Sequence, residues 1–565
     1  MGRDGRCLPG QPRYRGDSLI LETRLETSTG VAVLTDFMPP RRDASNLVRL
    51  VRCESGEVRL RSELCLRFDR GRLPPHWSER GERHVVGIAG PDAARLVADL
   101  PLSAQDDGGC VAEFALQAGD RRAFVLTYFS SPTRPPACID AWASLEETAR
   151  FWQDWVAHCT YQGPWREAVV RSLITMKALT YQPSGGIAAA PTSSLPERSG
   201  GTRNWDYRFC WLRDATFTLL SLLHTGYHEE AAAWRDWLVR AVAGKPHQIQ
   251  PLYGMAGERH LPEWQADWLS GFGGAKPVRF GNAAALQRQF DIFGEVIDAL
   301  HQGRLNGIGF DETAWRMQLK ILDHIEQIWR EPDCGIWESR HQPRRFTHSR
   351  VMMWAALDRI ISASAQRGGD LPLERWRRLR AEIHAEVCSR GFDRDLNSFI
   401  RDFDSTELDA SLLLLPQVGF LPPADARIIG TVKAIGEHLR KDGFILRYDT
   451  DLSHDGLPPG EGAFLACSFW YADALVMTGR RDEAREMFEH VLSVRNDLGL
   501  LAEEYDPDNA QLAGNFPQAL SHLALVNTAL NLSRTRGPAA HRSDGGQEPG
   551  GISKVSTPSA DPIDR

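Results

Sequence analysis

The stretch GGTRNWDYRFCWLRDATFTLLSLL, from Gly200 to Leu223, couples a loop that opens on two glycines to an apolar helix. The loop half contains two tryptophans, a tyrosine, a phenylalanine, three arginines and two aspartates. A solvated loop has no need of this much aromatic area, and a buried loop tolerates so many charges only when each has a partner. The stretch therefore predicts a functional loop that the following helix holds in place.

Helical periodicity dominates the chain on both sides of this stretch. We expect twelve helices, in which apolar residues recur at spacings of three and four. Their predicted starts lie near residues 164, 213, 229, 283, 311, 350, 372, 406, 424, 463, 481 and 517.

The connections between these helices alternate between long and short. In a toroid of six helical hairpins, all connections at one end are short, and the long ones surround the mouth of a central funnel. We therefore predict an all-α (α/α)6 toroid whose site lies on the long loops, where function is usually found. An α-solenoid used for binding is the competing interpretation, but its repeats rarely carry such unequal loops, and the sequence has no fixed-period repeat. The long connections are predicted at 183–212, 244–282, 331–349, 389–405, 439–462 and 496–516.

The residues before the helices show the period of two that is typical of β-strands. Between residue 18 and about 130, three segments alternate apolar and polar residues on both sides of a turn, at Ser28-Thr29-Gly30, Ser55-Gly56 and Gly119-Asp120. Hairpins at this spacing predict an antiparallel β-sandwich. The chain thus divides into a β-sandwich domain at 1–136, a linker helix at 137–160, the toroid at 161–535 and a disordered tail at 536–565, the last because of its Gly, Ser, Pro and Asp content.

The composition of the chain argues against several classes of protein. The 565 residues are 42% hydrophobic and 25% charged, and the net charge of −8 includes no basic stripe, so we expect neither a nucleic-acid nor a membrane partner. Ten scattered cysteines without a C-x-x-C pair, and the lack of an apolar leader, predict a cytoplasmic protein with reduced thiols. The seventeen tryptophans suit sugar binding, although a large helical core also absorbs many of them.

The opening stretch supplies the first candidate site residues. Asp214 stands where an acidic side chain would cap the next helix, which is its simplest interpretation. With Trp211 and Arg213 beside it, however, the group also suits a site in which a ring stacks on a sugar and charged groups hold its hydroxyls.

The other long loops offer carboxyl groups. In EPDCGIWESR, Glu338 follows Trp337, and a carboxyl against an indole can keep its proton near neutrality, as a general acid must. In LGLLAEEYDP, Glu503 and Glu504 point to opposite sides if the segment is extended. Asp449, Asp451 and Asp455 do not match a calcium loop, and no zinc or phosphate motif is present, so we expect no metal and no cofactor.

Several motifs in one order carry a resemblance to a known family. NWDYRFCWLRDATFTL, KPVRFGNAAALQRQFDIFGEVIDAL, DCGIWESR and LLAEEYDP…GNFPQALSHLAL together resemble glycoside hydrolase family 15, which includes glucoamylases, glucodextranases and bacterial trehalases. The resemblance extends to about residue 535. It implies a β-sandwich joined to an (α/α)6 barrel, and exo-acting release of glucose from α-glucosides with inversion.

The resemblance also implies roles for individual residues. It places the general acid on Glu338 and the general base on Glu503, with Glu504 as a neighbour. Trp211, Arg213 and Asp214 match the motif that holds the non-reducing glucose. The remaining residues that it implies for substrate binding are Lys276, Arg279, Trp337 and Arg447.

Two features depart from the family pattern. Bacterial members usually begin with extra strands, so either the N-terminal sandwich is incomplete or the start of the chain is misplaced. Lys276 stands where an arginine is more usual, which would weaken a bidentate grip on sugar hydroxyls.

The expected activity is hydrolysis of small α-glucosides in the manner of a glucoamylase, with trehalose as the alternative substrate. A small α-glucoside is then the partner, and whether the protein forms homo-oligomers is left open. A glycan phosphorylase needs no catalytic base, so Glu503 argues against it, while glucose 1-phosphate as product would argue for it. A non-catalytic sugar-binding protein would need neither Glu338 nor Glu503.

Overall fold

The N-terminal region is an antiparallel sheet, as the period of two predicts. The computed structural model describes residues 8–105, 108–367, 371–452 and 455–543, and within them this sheet has eleven strands. They are β1 Leu8–Pro9, β2 Arg13–Tyr14, β3 Leu21–Glu26, β4 Gly30–Phe37, β5 Ser45–Cys65, β6 His76–Arg80, β7 His84–Ala89, β8 Asp92–Ala98, β9 Ser103–Ala104, β10 Gly109–Gln117 and β11 Arg121–Ser130.

Two of the three predicted hairpin turns are wrong. The turn at Ser28-Thr29-Gly30 does join paired strands, β3 and β4. At Ser55-Gly56 the chain instead continues as one strand, β5, and β10 and β11 both pair with β5 rather than with each other across Gly119-Asp120. Gly56 and Gly119 have φ of 68° and 93°, and the amides of Ala118 and Gly119 bond to the carbonyls of Gly56 and Cys53. The glycines therefore allow a shared kink in two long strands, not two hairpins.

Both halves of β5 face one buried core. Val51 and Cys53 before the kink and Val58 after it belong to the same cluster of buried side chains, to which β4, β6, β7, β8, β10 and β11 also contribute. The sheet is thus folded over its own core, as the sandwich prediction requires.

Thirteen α-helices follow within the described residues, the first of them the predicted linker, which Asp140 caps by accepting bonds from the amides of Trp142 and Ala143. They are α1 Ala141–Ala157, α2 Arg166–Leu179, α3 Ala215–His224, α4 His228–Ala241, α5 Asp291–Leu305, α6 Glu312–Ile328, α7 Thr347–Arg367, α8 Leu373–Arg390, α9 Ala426–His438, α10 Leu465–Met477, α11 Arg481–Ser493, α12 Ala519–Ser533 and α13 Pro538–Ser543.

Short elements complete the described chain. The 3-10 turns are Pro246–Gln248, Phe272–Gly274, Ala283–Leu286 and Ala410–Leu414. The strands of the loops are β12 Thr180–Tyr181, β13 Gly186–Ile187, β14 Ser193–Pro196, β15 Asn204–Asp206, β16 Cys210–Trp211, β17 Leu252–Tyr253, β18 Trp264–Gln265, β19 Arg279–Phe280, β20 Phe392–Asp393, β21 Ser398–Phe399, β22 Arg440–Lys441, β23 Phe444–Ile445, β24 Ala463–Phe464, β25 Glu504–Asp506 and β26 Gln511–Ala513.

The helices form a closed double ring. Helices α3, α5, α7, α10 and α12 and the 3-10 turn Ala410–Leu414 make up the inner ring, in which each element packs against the next and α12 packs against α3. Helices α2, α4, α6, α8, α9 and α11 lie outside, each against an inner element. The inner helices α3 and α10 are apolar almost all round because both of their faces are covered, whereas α6 buries a single stripe that includes Ile321, Leu322 and Ile325. The (α/α)6 prediction is confirmed.

The alternation of connections is also confirmed. Each long connection runs from an outer helix to the start of an inner element. The short connections described throughout are 225–227, 306–311, 415–425 and 478–480. The long connections, named first to sixth below, are 180–214, 242–290, 329–346, 391–409, 439–464 and 494–518.

Two predicted helices differ from the structure. The helix expected near residue 406 is only the 3-10 turn Ala410–Leu414, because Pro416 lacks the amide that would continue it. The helix expected near residue 283 is the 3-10 turn Ala283–Leu286, and α5 starts at Asp291. The side-chain amide of Gln287 donates to the carbonyls of Glu338 and Ser339, at 3.1 and 3.2 Å, so this segment is held against the third connection instead of winding into α5.

The predicted disordered tail begins too early. Residues 538–543 form α13, and residues 544–565 of the predicted tail lie outside the described residues. Arg542 of α13 is 1% exposed and bonds to Glu295 and Asp298 of α5, at 3.1 and 2.5 Å. Within the described ranges, every helix is too short or too polar to serve as a membrane span.

We expect Arg542→Met to lower the free energy of unfolding by about 3–5 kcal/mol, because it leaves two carboxylates buried without this cation. Chemical denaturation measures the change. Arg61→Met, which breaks an exposed pair with Glu113, is the matched control and should cost less than about 1 kcal/mol. Equal stability of the two variants would contradict the assignment of α13 to the folded core.

Candidate active site

The six long connections meet at the starts of the inner helices. Each of them supplies at least one side chain that contacts a side chain of another connection, so the rim is one continuous cluster. The contacts that join them are Tyr207 with Glu503, Trp211 with Glu338, Trp337 with Asp409, Arg447 with Glu197 and Arg340 with Glu263.

Glu338 is held in an unusual backbone conformation at this rim. Its φ is 59°, in the left-handed region that non-glycine residues rarely adopt, which marks a position that the surroundings impose. The indole N–H of Trp211 donates to its carboxyl group, and the Arg213 guanidinium lies 3.9 Å away. Burial raises the pKa of Glu338, and the positive charge of Arg213 and the Trp211 bond oppose this without cancelling it. The group therefore keeps its proton to a higher pH than a solvated glutamate.

Glu503 is fully buried on the sixth connection. It accepts hydrogen bonds from the Tyr207 hydroxyl and from the backbone N–H of Asn515, the latter at 3.1 Å. Gly514 has φ of 73°, and a Cβ there would lie 2.6 Å from the Glu503 carboxyl, so glycine is needed beside it. Burial raises the pKa of Glu503, and the Tyr207 bond and the charge of Arg447, which favour the ionised form, oppose this without cancelling it.

The rings that hold the two carboxyl groups contact each other. The centroids of Tyr207 and Trp211 are 5.0 Å apart, and Tyr207 donates to Glu503 while Trp211 donates to Glu338. The two glutamates, 165 positions apart in the chain, are thereby fixed in one cluster by a pair of adjoining aromatic side chains.

Arg213 and Asp214 form a buried ion pair beneath this cluster. Their closest atoms, Nε and Oδ1, are 2.8 Å apart, and both residues are 6% exposed. Asp214 stands at the N-cap of α3, as the sequence suggests, but its side chain makes no hydrogen bond to the amides there. Its carboxyl group instead accepts from the Arg213 guanidinium, which lies 3.9 Å from the Glu338 carboxyl group.

Arg447 lies in a dense acidic group. It bonds Glu461 through two nitrogens and lies 3.3 Å from Glu197 and 3.6 Å from Glu504. The carboxylates of these three glutamates lie within 4.8 Å of one another, an arrangement that could hold a cation. Arg447, with Arg203 at 3.3 Å from Glu461, already provides two positive charges there. Burial, together with the charges of Glu197 and Glu461, raises the pKa of Glu504 well above its ordinary value.

A small pocket opens between these groups. Its cavity volume is about 30 Å³. Trp205 and Trp337 provide aromatic surface, and the Trp337 indole is fixed by donating to Asp409. The lining residues are Arg203, Trp205, Tyr207, Asn282, Ala284, Trp337, Glu338, Ser339, Arg340, Arg447, Tyr448, Asp455 and Leu457.

Some of the predicted site residues line the pocket and others do not. Glu338, Trp337 and Arg447 line the pocket, and Trp211, Arg213, Asp214, Glu503 and Glu504 lie in the cluster around it. Arg279 supports the pocket from behind, since its guanidinium lies 4.4 Å from the Trp205 ring and bonds to the carbonyls of Thr202 and Asn204. Lys276 is exposed and is not among the described lining residues.

Sequence reasoning missed several residues of the site. Tyr207 and Trp205 stand in the opening stretch, so its density of aromatic residues was a usable signal. Glu461 stands between two glycines in the fifth connection, which also distinguishes it. Glu197 has no local pattern, and only the fold brings it to Arg447.

The helices form a ring of six hairpins, and its funnel holds two carboxyl groups beside aromatic and arginine side chains. This combination of fold and site is that of the glycoside hydrolases built on an (α/α)6 barrel. The comparison with known families agrees. The sequence profile described as glycosyl hydrolases family 15 matches residues 163–530. The chain belongs to this family and is a glycoside hydrolase.

Individual relatives add detail. The chain is 36% identical to the trehalase of Mycobacterium tuberculosis over 94% of its own length and 82% of that protein. It is 39% identical to the trehalase of Thermoplasma volcanium, over 69% of its length and 62% of that protein. Among solved structures, a bacterial glucoamylase complexed with acarbose matches with a TM-score of 0.70 at 13% identity, covering 93% of this chain and 85% of that one, which supports the fold alone.

Proposed function

We propose that this protein is a trehalase, which hydrolyses α,α-trehalose to two glucose molecules with inversion at the attacked carbon. The relatives that share about a third of its residues over most of its length carry the name trehalase. The isomaltose glucohydrolase of Kribbella flavida is less similar, at 24% identity over 49% of the chain. Trehalose is therefore favoured over the malto- and isomalto-oligosaccharides that the sequence motifs first suggest.

The observation that carries the hydrolytic mechanism is the pair of carboxyl groups held by Trp211 and Tyr207. Glu338, whose protonated form is favoured by burial, donates its proton to the glycosidic oxygen as the bond to C1 breaks. Glu503, ionised, takes a proton from the water that attacks C1 from the opposite face. For inversion this water needs a carboxyl separation of about 6.5–9.5 Å. The proton from Glu338 ends on the leaving glucose, the proton from the attacking water ends on Glu503, and two glucose molecules leave.

The other polar groups position the sugar in this proposal. Arg213 and Asp214, at the base of the cluster, would bond to the hydroxyls of the glucose that is attacked. Trp337 and Trp205 would provide apolar surface for the faces of the two rings. Arg447 and Glu504 would stabilise the side of the site where the fifth connection meets Glu503.

A panel of substrates tests the proposal. Purified protein is incubated with trehalose, maltose, isomaltose and dextrin, and released glucose is measured. We expect the highest kcat/KM for trehalose. Faster hydrolysis of maltose or isomaltose would replace trehalase by a glucoamylase-like activity, glucose 1-phosphate formed in phosphate buffer would indicate a phosphorylase, and binding without any product would indicate a sugar-binding protein.

The pH profile should depend on Tyr207. Its hydroxyl favours the ionised form of Glu503, so Tyr207→Phe raises the pKa of this base further. Since the base works only when ionised, the acid-side limb of kcat/KM should move up by about one pH unit, given the usual strength of a hydrogen bond to a charged group. The alkaline limb, which reports the loss of the Glu338 proton, should stay in place and serves as the control. An unmoved acid limb would remove Tyr207 from this role.

A further inference from the structure

A turn of the sheet domain docks on the second long connection. In the turn Phe68–Leu73, called the sheet turn here, Phe68 and Leu73 exchange backbone bonds of 2.7 and 3.1 Å. Asp69, Arg70 and Gly71 between them have φ of 45°, 55° and 88°. Left-handed backbone at two successive non-glycine residues costs energy, so it is retained where the surroundings require one particular shape.

The sheet turn contacts the second long connection. The Trp268 indole donates to the carbonyl of Arg70 at 3.2 Å, and the Arg72 guanidinium lies 4.4 Å from the Trp268 ring. The Arg70 guanidinium lies 5.1 Å from the ring of Trp264 and 5.4 Å from that of Phe280. These are cation–π distances, and the two rings stack on each other at 5.0 Å.

Trp264 connects this contact to the pocket. It pairs with Phe280 in the ladder of β18 and β19, and its neighbour Glu263 bonds to Arg340 through both oxygens, at 3.0 and 2.6 Å. Although burial opposes it, the Arg340 bonds hold the pKa of Glu263 below its ordinary value, so the pair is ionic. Arg340 lines the pocket, and its guanidinium lies 4.3 Å from the ring of Trp205.

Trp205 and Arg340 form the outer wall of the pocket. Trp205 is half-buried and the Arg340 side chain is 28% exposed, whereas Arg213 and Asp214 at the base are each 6% exposed. A disaccharide whose first ring is held at the base would place its second ring against this outer wall.

We propose that the sheet turn is a positioning element for substrate binding, in which Arg70 fixes the Trp264 ladder and thereby the Glu263–Arg340 pair that holds the outer wall. The inference rests on the proposed function for the identity of the ligand as a disaccharide. In this proposal the sheet domain controls how tightly the leaving sugar is bound, and Glu338 and Glu503 carry out bond cleavage.

Kinetics of Arg70→Ala test the proposal. Loss of two cation–π contacts at a half-exposed site should raise KM for the disaccharide by about 3- to 10-fold and leave kcat within about twofold, because the interaction acts on binding. Arg61→Ala, at another exposed arginine of the sheet, is the matched control and should change neither constant. Glu263→Gln should raise KM as well, and the double variant should be no worse than the more affected single one. An unchanged KM in Arg70→Ala, or additive effects, would overturn the proposal.

Hydrogen exchange supplies a readout that does not depend on activity. In Arg70→Ala the amides of the β18–β19 ladder and of Ala283, whose N–H bonds to Glu263, should exchange at least about threefold faster, with the sixth connection unchanged. Exchange unaltered in the ladder would contradict the role of Arg70 even if the protein hydrolysed no α-glucoside. Inactivity of the unaltered protein on every substrate would instead refute the proposed function.

Discussion

The Glu338→Gln variant should lose turnover of trehalose by about 10²- to 10⁴-fold and still bind the sugar, because glutamine keeps the shape of the acid but cannot donate its proton. Initial rates of glucose release measure the loss, and calorimetric titration with trehalose measures binding. Glu331→Gln, at an exposed glutamate of the same connection, is the control and should retain full activity.

A substrate that needs no acid sharpens this test. Fluoride leaves α-glucosyl fluoride without protonation, so Glu338→Gln should hydrolyse this substrate far better, relative to the unaltered enzyme, than it hydrolyses trehalose. Equal losses on both substrates would contradict the acid role of Glu338.

The Glu503→Ala variant should lose turnover on both substrates by a comparable factor, because it removes the group proposed to take the proton from the attacking water. The space left by the side chain would admit azide, which needs no base. Added azide should therefore restore cleavage of α-glucosyl fluoride and yield β-glucosyl azide. Recovery without azide, or an α-glucosyl azide product, would contradict the base role.

The Glu504→Gln variant is the control for the Glu503→Ala variant. Burial and its acidic neighbours raise the pKa of Glu504 well above its ordinary value, so the protonated form is favoured more than in a solvated glutamate, and glutamine resembles that form. Glu504→Gln should keep activity within about tenfold, since it removes neither the acid nor the base. A loss equal to that of Glu503→Ala would show that the two roles have been assigned in the wrong order.

The fold was predictable because its signal repeats along the chain. Six long connections separated by short ones indicate a ring, and the period of two before residue 130 indicates a sheet. The predictions failed at a few positions, and each failure has a physical reason. Pro416 stops a helix whose apolar pattern is otherwise sound, and Gly56 and Gly119 permit a kink where the pattern suggests turns. Residues 538–543 look disordered by composition, yet Arg542 finds two buried carboxylates to pair with.

The site was predictable only where residue types cluster locally. The carboxyl groups and the ion pair at Arg213 stand in recognisable motifs, whereas the partners that tune them come from distant parts of the chain. Glu197 reaches Arg447 across 250 positions, and no pattern in either segment indicates this contact. Similarly, Asp214 looks like a helix cap in sequence, and only the fold shows that Arg213 takes its carboxyl group.

Stereochemistry tests the central claim most directly, namely that Glu503 directs a water to the face of C1 opposite to the bond that Glu338 protonates. Proton NMR of trehalose hydrolysis, followed before mutarotation, distinguishes the two anomers of glucose. Inversion predicts equal initial amounts of β-glucose, from the attacked ring, and α-glucose, from the leaving ring. Initial formation of α-glucose alone would mean retention through a covalent intermediate, and would contradict the assignment of Glu503 as a base.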